Sequence, residues 1–316
     1  MVNGKLIFIF LDGVGIGAAD NTNPFYAAGC RFLPFAKNGC AMPDQTPIKP
    51  IDALLGVEGM PMSATGQTAL FTGVNVSKIL NEHKDSYPDK FMRKIIKEKN
   101  LFTHLRQMNL NPRFLNAFNG SSDLFTPNHI TLFDDGEFYV SAYFKSRYTR
   151  SISVTTCMMI ANRMLPFGEN DIIHGRALFH DFTNQTVQNG DGRGIQLPGF
   201  SPERAAEILF NASRSYDLLL YEYFLTDFYG HGGTLEECSH LVKQLDLLVG
   251  RLLELMDPGK DTVLITSDHG NIEDISQQLH TYNPVPLLVW GNRSGELRGK
   301  IGSLVDVKPA IIDYFI

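Results

Sequence analysis

Residues 262–286 read TVLITSDHGNIEDISQQLHTYNPVP, a β-branched apolar run that ends directly in an Asp-His pair. Thr262 to Ile265 predicts a short buried strand. Asp268 and His269 then emerge at its carboxyl end, where open α/β sheets keep their ligands. His280 follows eleven residues after His269 and heads H-T-Y-N-P-V-P, a rigid turn into a second apolar run ending at Trp290. Carboxylate and imidazole converging at one strand edge form a donor set for a divalent metal. Further ligands are therefore sought at other strand ends.

Two other runs supply them. Leu6 to Leu11, LIFIFL, reads as a buried strand stopped by D-G-V-G-I-G, which places Asp12 at its end. Asp217 to Phe224, DLLLYEYF, is a second such strand and runs into T-D-F-Y-G-H-G-G, with Asp227 and His231 four apart. Thr234 and Glu237 then form a capping box, and Cys238, Leu241, Leu245, Leu248, Leu252 and Leu255 mark the buried stripe of a long helix leading back to residue 262. Strand, helix, strand predicts a βαβ unit. QTALFTG, after Pro61-Met62-Ser63-Ala64-Thr65-Gly66, predicts a helix with Ser63 or Thr65 near its N-terminus. Ser201-Pro202-Glu203 opens another to about Ser213, and Val307 to Phe315 a closing one. The expected fold is α/β, with a doubly wound, mostly parallel sheet.

Residues 18–60 are rich in turn signals and predict little regular structure. From about 76 to 200 the composition becomes more charged and aromatic, which predicts an inserted smaller α+β cap domain, with the core formed by 1–75 and 201–316. Within the insertion Glu137 to Phe144 alternates like a strand, while SISVTTCMMIANRM (151–164) suits strand or helix.

A length of 316 residues with 43% hydrophobic side chains supports a large core, and a net charge of −6 argues against a surface built for nucleic acid or anionic lipid. Any anionic substrate must be held locally, by metal or by a few Arg. Cys30, Cys40, Cys157 and Cys238 are scattered with no C-x-x-C pair, which argues against a disulfide framework or thiolate zinc site and for a reducing cytoplasm. Leu6 to Leu11 is too short for a signal-peptide core or membrane span.

Singly, each candidate ligand has an ordinary explanation as a turn or loop residue. Together, three strands each end in an Asp and two of those ends also carry a His, so Asp12, Asp227, His231, Asp268, His269 and His280 form a set of N and O donors. Such a set suits two borderline divalent ions, zinc or manganese, better than magnesium. A competing pattern, Gly13 to Ala18, satisfies the dinucleotide-binding G-x-G-x-x-A. It lacks a following helix and an acid-ended second strand, so it is set aside.

The ordered set, Asp12, a hydroxyl at a helix start, Asp227-x-x-x-His231, Asp268-His269 and His280, resembles the alkaline phosphatase superfamily, and within it the cofactor-independent phosphoglycerate mutase and phosphopentomutase branch. The H-T-x-N-P-V-P ending is similar to the mutases, and the gap to His280 is more like phosphopentomutase. The resemblance implies two metals, one held by Asp227, His231 and His280 and the other by Asp12, Asp268, His269 and the nucleophile oxygen. Counting back from Thr72-Gly73 as in those families implies Ser63 as nucleophile, with Thr65 in reserve; Ser63 as a mere helix cap is the competing reading. Gln67 stands where the mutases have His.

The resemblance further implies a phosphatase or phosphomutase working on a small phosphorylated metabolite through a phosphoserine; the charge balance leaves neither nucleic acid nor membrane as a partner. A phosphodiesterase or sulfatase-like hydrolase is the alternative enzyme, and a catalytically silent metal-binding sensor the alternative outside catalysis. Gln67, Lys145, Arg147, Arg150, His174 and Arg176 are candidates for reading the substrate, because guanidinium groups suit carboxylate and phosphate.

Overall fold

A computed structural model of the chain describes residues 4–37, 47–118, 122–143, 146–188 and 197–316, without the side chains of residues 146–148, 187 and 188. The strands are β1 (Lys5–Leu11), β2 (Lys49–Ile51), β3 (Pro112–Phe114), β4 (Ile130–Leu132), β5 (Phe138–Val140), β6 (Leu218–Tyr223), β7 (Asp261–Ser267) and β8 (Val285–Gly291). Six of them form one sheet in the order β2-β8-β7-β1-β6-β3. β7, β1, β6 and β3 run parallel, and β8 is antiparallel to both β7 and β2. The sheet is mixed, with the parallel block expected from the βαβ reading at its centre.

Strand alternation sorts the core into two faces. Ile7, Ile9, Leu11, Leu219, Tyr221, Val263 and Ile265 face the Pro202–Ser213 and Leu235–Leu255 helices. Leu6, Phe8, Phe10, Leu218, Leu220 and Leu264 face the Ser63–Thr72, Leu101–Gln107, Val154–Ala161 and Leu304–Tyr314 helices. Both faces are covered, so the parallel strands read as continuous apolar runs. Phe71 seats the Ser63–Thr72 helix on the sheet, with ring centroids 5.7 Å from Phe8 and 5.3 Å from Phe10. A fully buried Phe contributes roughly 1.5–3 kcal/mol, so the start of that helix is held firmly against the strand ends.

The local signals hold. Ser201 caps its helix by accepting from Arg204 N, and Thr234 and Glu237 form the reciprocal capping box. The ambiguous 151–164 run is a helix, Val154–Ala161, capped by Ser153. Of the strand expected over Glu137 to Phe144, Phe138–Val140 forms β5, and Phe144 lies outside the described residues.

β3 lies inside the span from about 76 to 200 and pairs with β6 in the main sheet, and the Lys90–Lys99, Leu101–Gln107 and Val154–Ala161 helices share an apolar cluster with β1. The Lys90–Lys99 helix carries much of the charge of this span on its outer side, with Met92 and Ile96 buried. Among the described residues, β4 and β5 pair outside the main sheet.

No helix among the described residues is long and apolar enough to cross a membrane. Cys30, Cys157 and Cys238 are buried free thiols, and Cys40 lies outside the described residues.

Candidate metal centre

Asp12 follows β1, Asp268 and His269 follow β7, and Asp227 with His231 belong to the Leu225–Gly230 helix and its C-cap directly after β6. Because β1 pairs in parallel with both β6 and β7, the three ends lie side by side. Ser63 is the first residue of its helix and the H-T-Y-N-P turn brings in His280. All the residues expected as metal donors therefore meet at one edge of the sheet.

Two groups of donors form there. Asp12, Asp268 and His269 make one, and Asp227, His269 and His280 the other, each with ligand atoms within 4.8 Å of one another. His269 Nε2 lies 3.3 Å from Asp12 Oδ1, 3.5 Å from Asp268 Oδ2 and 2.9 Å from Ser63 Oγ. His280 Nε2 is 3.5 Å from Asp227 Oδ1, and His231 Nε2 is 3.4 Å from Asp227 Oδ2. His231 stands at the rim of the second group, more exposed than the others. The rings of His269 and His280 stack at 3.8 Å, so the groups adjoin.

The other nitrogen of each imidazole has a backbone partner. Nδ1 of His231, His269 and His280 meets the carbonyls of Gln278 (3.0 Å), Gly270 (3.3 Å) and Pro61 (2.9 Å). Donation there fixes the tautomer that leaves Nε2 free, the arrangement typical of metal-binding His. Ser63 does not cap its helix: Met62 occupies the N-cap with no side-chain bond, and the Ser63 hydroxyl turns to His269. Thr65 is used locally, donating to Met62 O and accepting from Lys84 N, both at 3.2 Å.

Several residues invisible as donors hold this geometry. Gln67 Nε2 donates to Asp12 Oδ2 at 3.2 Å and to Asp268 Oδ2 at 3.0 Å, so it ties the two carboxylates together. Asn271 Nδ2 donates to Asp227 Oδ1 at 2.7 Å. Glu273, wholly buried, accepts from Gly15 N (2.7 Å), Asn271 N (2.8 Å), Asn283 Nδ2 (3.0 Å) and the Thr281 hydroxyl. One carboxylate thus joins the loops after β1 and β7 and the turn carrying His280. The glycines of D-G-V-G serve the same approach. Gly13 has φ 67°, and a Cβ there would lie 2.5 Å from Asp227 Oδ1; a Cβ on Gly15 would meet Glu273 at 2.2 Å. No helix follows these glycines directly, since the next one is Pro24–Ala27, so the dinucleotide pattern lacks its phosphate-binding helix.

The electrostatics fit a cation. Burial first, and then the neighbouring Asp268 charge, raise the Asp12 carboxyl well above the usual range, against the His269 ring that stands 3.3 Å from its Oδ1. Burial would lower the His269 pKa, but Asp268 and Asp12 overcome it and push it up to about 10. The pocket therefore attracts one positive charge strongly enough to hold a proton on that imidazole. Burial, followed by the adjacent His269, lowers the His280 pKa, leaving it neutral and able to ligate. Carboxylates plus neutral imidazoles are the donors of zinc and manganese sites.

A cavity of about 1250 Å³ opens onto Asp12, Ser63, Gln67, Asp227 and His231. Its lining also includes Glu222, a residue not anticipated, although a lone acid inside the apolar run DLLLYEYF is a readable signal. Burial pushes the Glu222 carboxyl up to about 7, against the Thr155 hydroxyl that donates to it at 2.7 Å. The folded state thus keeps a proton that the unfolded chain loses near its ordinary value of 4.5, and the stabilisation is present below that value and lost as pH rises through about 7. Glu222→Gln removes this dependence. In chelator, denaturant unfolding should show the variant gaining on the wild type by on the order of 3 kcal/mol between ~pH 4 and ~pH 8. A constant difference would mean that Glu222 is ionised throughout.

Of the candidates for reading substrate, Arg176 pairs with Asp171 at 2.8 Å on the surface and Arg150 is exposed; neither lines the cavity. His174 is exposed too, its Nδ1 at 2.7 Å from Asn170 O. Lys145 and the Arg147 side chain lie outside the described residues.

Comparisons with known proteins give the family. A family model described as Metalloenzyme superfamily matches residues 141–316. The chain is 33% identical over 122 residues to the 2,3-bisphosphoglycerate-independent phosphoglycerate mutase of Desulforudis audaxviator, a match covering 37% of this chain and 24% of that protein. It is 36% identical over 104 residues to the enzyme of the same name from Pseudomonas fluorescens, covering 31% and 20% respectively. The chain thus spans about a quarter or less of these relatives. Among solved structures, it is similar to the alkaline phosphatase from the Antarctic bacterium TAB5, with a TM-score of 0.55 over 98% of this chain and 97% of that one at 14% identity, a likeness of fold.

Proposed function

The chain belongs to the Metalloenzyme superfamily, and from that premise we propose that it is a two-metal phosphoryl-transfer enzyme, a phosphatase of a small phosphorylated metabolite that works through phospho-Ser63. The observation that carries this reading is the position of Ser63: its hydroxyl sits 2.9 Å from His269 Nε2, beside both donor groups and at the cavity floor. We assign one ion, zinc or manganese, to Asp12, Asp268, His269 and Ser63, and the other to Asp227, His231 and His280. When bound, such ions lower the pKa of the attacking hydroxyl and neutralise charge on the phosphoryl group.

The chain's own residues do the rest. Ser63 Oγ attacks phosphorus, the bond to the ester oxygen breaks, and the hydroxyl proton ends on the departing alcohol. The amides of Ser63 and Ala64 lie ahead of the first helical bond, Gly66 N to Met62 O, and are placed to meet phosphoryl oxygens at the positive end of the helix. Water then attacks the phosphoserine, releasing phosphate and restoring the hydroxyl. Gln67 keeps Asp12 and Asp268 at fixed separation. Residues of the 76–200 span, Tyr87, Phe118 and Phe179 among them, wall the cavity and select the organic part of the ester. A cytoplasmic setting fits the buried free thiols.

A mutase is the second reading, favoured by the identity to phosphoglycerate mutases. Protein reconstituted separately with zinc, manganese and magnesium should release phosphate from monoesters in preference to diesters and sulfate esters; isomerised ester appearing faster than free phosphate would establish the mutase instead. Elemental analysis tests the centre itself. Asp268→Asn should lose mainly one ion and His280→Ala mainly the other, and fewer than one tightly bound ion per wild-type chain would sink the two-metal assignment.

A further inference from the structure

Phe228 is 68% exposed and Tyr87 45%, large values for aromatic side chains, and both line the cavity beside the metal centre. They belong to separate elements, Phe228 to the Leu225–Gly230 helix and Tyr87 to the loop before the Lys90–Lys99 helix. Further round the wall, Phe118 and Phe125 pack at 4.8 Å between centroids, and Phe224 lies 4.3 Å from the ring of His180. Burial lowers the His180 pKa to about 4, so that ring is neutral near pH 7. The cavity is thus walled by flat, uncharged faces.

Its charge is one-sided. Asp85, Glu222 and Glu237 line it in addition to the metal-centre carboxylates, and no Lys or Arg lines it among the described residues.

Resting on the phosphoryl-transfer reading above, we infer that the substrate is a phosphate monoester whose organic part presents a flat or apolar face to the aromatic side chains that line the cavity, Tyr87, Phe118 and Phe228 among them. The aromatic wall supplies binding energy remote from the reacting centre.

Benzyl phosphate, methyl phosphate and 3-phosphoglycerate test it, because all three release a simple alcohol and differ in what the cavity must hold. With metal-loaded protein, kcat/KM should favour benzyl phosphate over each of the others by ~10-fold or more, as expected from one or two aromatic contacts. Phe228→Ala and Tyr87→Ala should each reduce the benzyl-to-methyl preference by ~3- to 10-fold, mainly through KM. Calorimetric binding of benzylphosphonate, which cannot be hydrolysed, should weaken to the same extent. Preference for 3-phosphoglycerate, or an unchanged benzyl-to-methyl ratio and unchanged phosphonate binding in both variants, overturns the inference. Phosphonate binding that both variants weaken, without turnover of any ester, would support the aromatic wall while defeating the phosphatase.

Discussion

Replacing Ser63 by alanine is expected to lower turnover by roughly three orders of magnitude or more while both ions stay bound. The geometry makes the expectation sharp. Ser63 has no role in capping its helix, so alanine at that first helical position leaves the backbone undisturbed, and what is lost is the hydroxyl facing His269. Rapidly quenched wild-type protein should carry phosphate on Ser63, and the alanine variant none. Thr65→Ala is the control, since its hydroxyl is occupied by Met62 and Lys84; it should cost about 1 kcal/mol of stability and less than tenfold in turnover. If Thr65→Ala were the inactive protein and Ser63→Ala the active one, the nucleophile would be misassigned by two positions. Full activity in both would show that water attacks directly.

Glu273→Gln should be nearly as damaging, although Glu273 belongs to neither donor group. Its Oε2 accepts two backbone amides, from Gly15 and Asn271, and its Oε1 accepts from Thr281 and Asn283. A side-chain amide has one oxygen for two such pairs of donors, so its NH2 must face donors at a wholly buried position. We expect a loss of about 2–4 kcal/mol in unfolding free energy, from buried groups left unpaired, and metal affinity weakened by roughly 10- to 100-fold, as when a partner of a ligand loop is removed. Thermal unfolding with and without zinc reads the first, and metal competition with a chelating dye the second. Wild-type melting together with wild-type metal affinity would mean that the three loops hold their places without this carboxylate.

The donors were legible because buried parallel strands announce themselves as unbroken apolar runs, and the residue that ends such a run sits at the sheet edge. Asp12, Asp227 and Asp268 needed no further information, and the i, i+4 spacing brought His231 with Asp227. Ser63 was harder: position near a helix start suits a cap as well as a nucleophile, and what the structure adds is that its hydroxyl faces His269 and does not cap the helix. Gln67, Asn271 and Glu273 act through contacts with residues distant in the chain, which no local pattern encodes. β3 escaped because three residues, Pro112–Phe114, are too few to show a period, and its partner β6 lies more than a hundred residues away. The charged segment around it read as an inserted domain; its Lys90–Lys99, Leu101–Gln107 and Val154–Ala161 helices contribute to the apolar cluster that includes β1 and β6. The Arg candidates rested on chemistry without placement, and Arg176 lies on the surface with Asp171.

β1 stands between β6 and β7, so Leu6 has Leu218 on one side and Thr262 on the other. During synthesis, the first strand must wait for both neighbours until most of the chain has been made, and closing such distant pairs is slow. The metal donors, spread from residue 12 to residue 280, come together only at that late stage. An ion held by these residues would latch what has already assembled. Free metal at a hundred times its dissociation constant adds about 2.7 kcal/mol to the native state, which lengthens the life of the closed form against proteases. Metal supply would then govern how long each molecule lasts, and chaperones and the chain itself how quickly it is made.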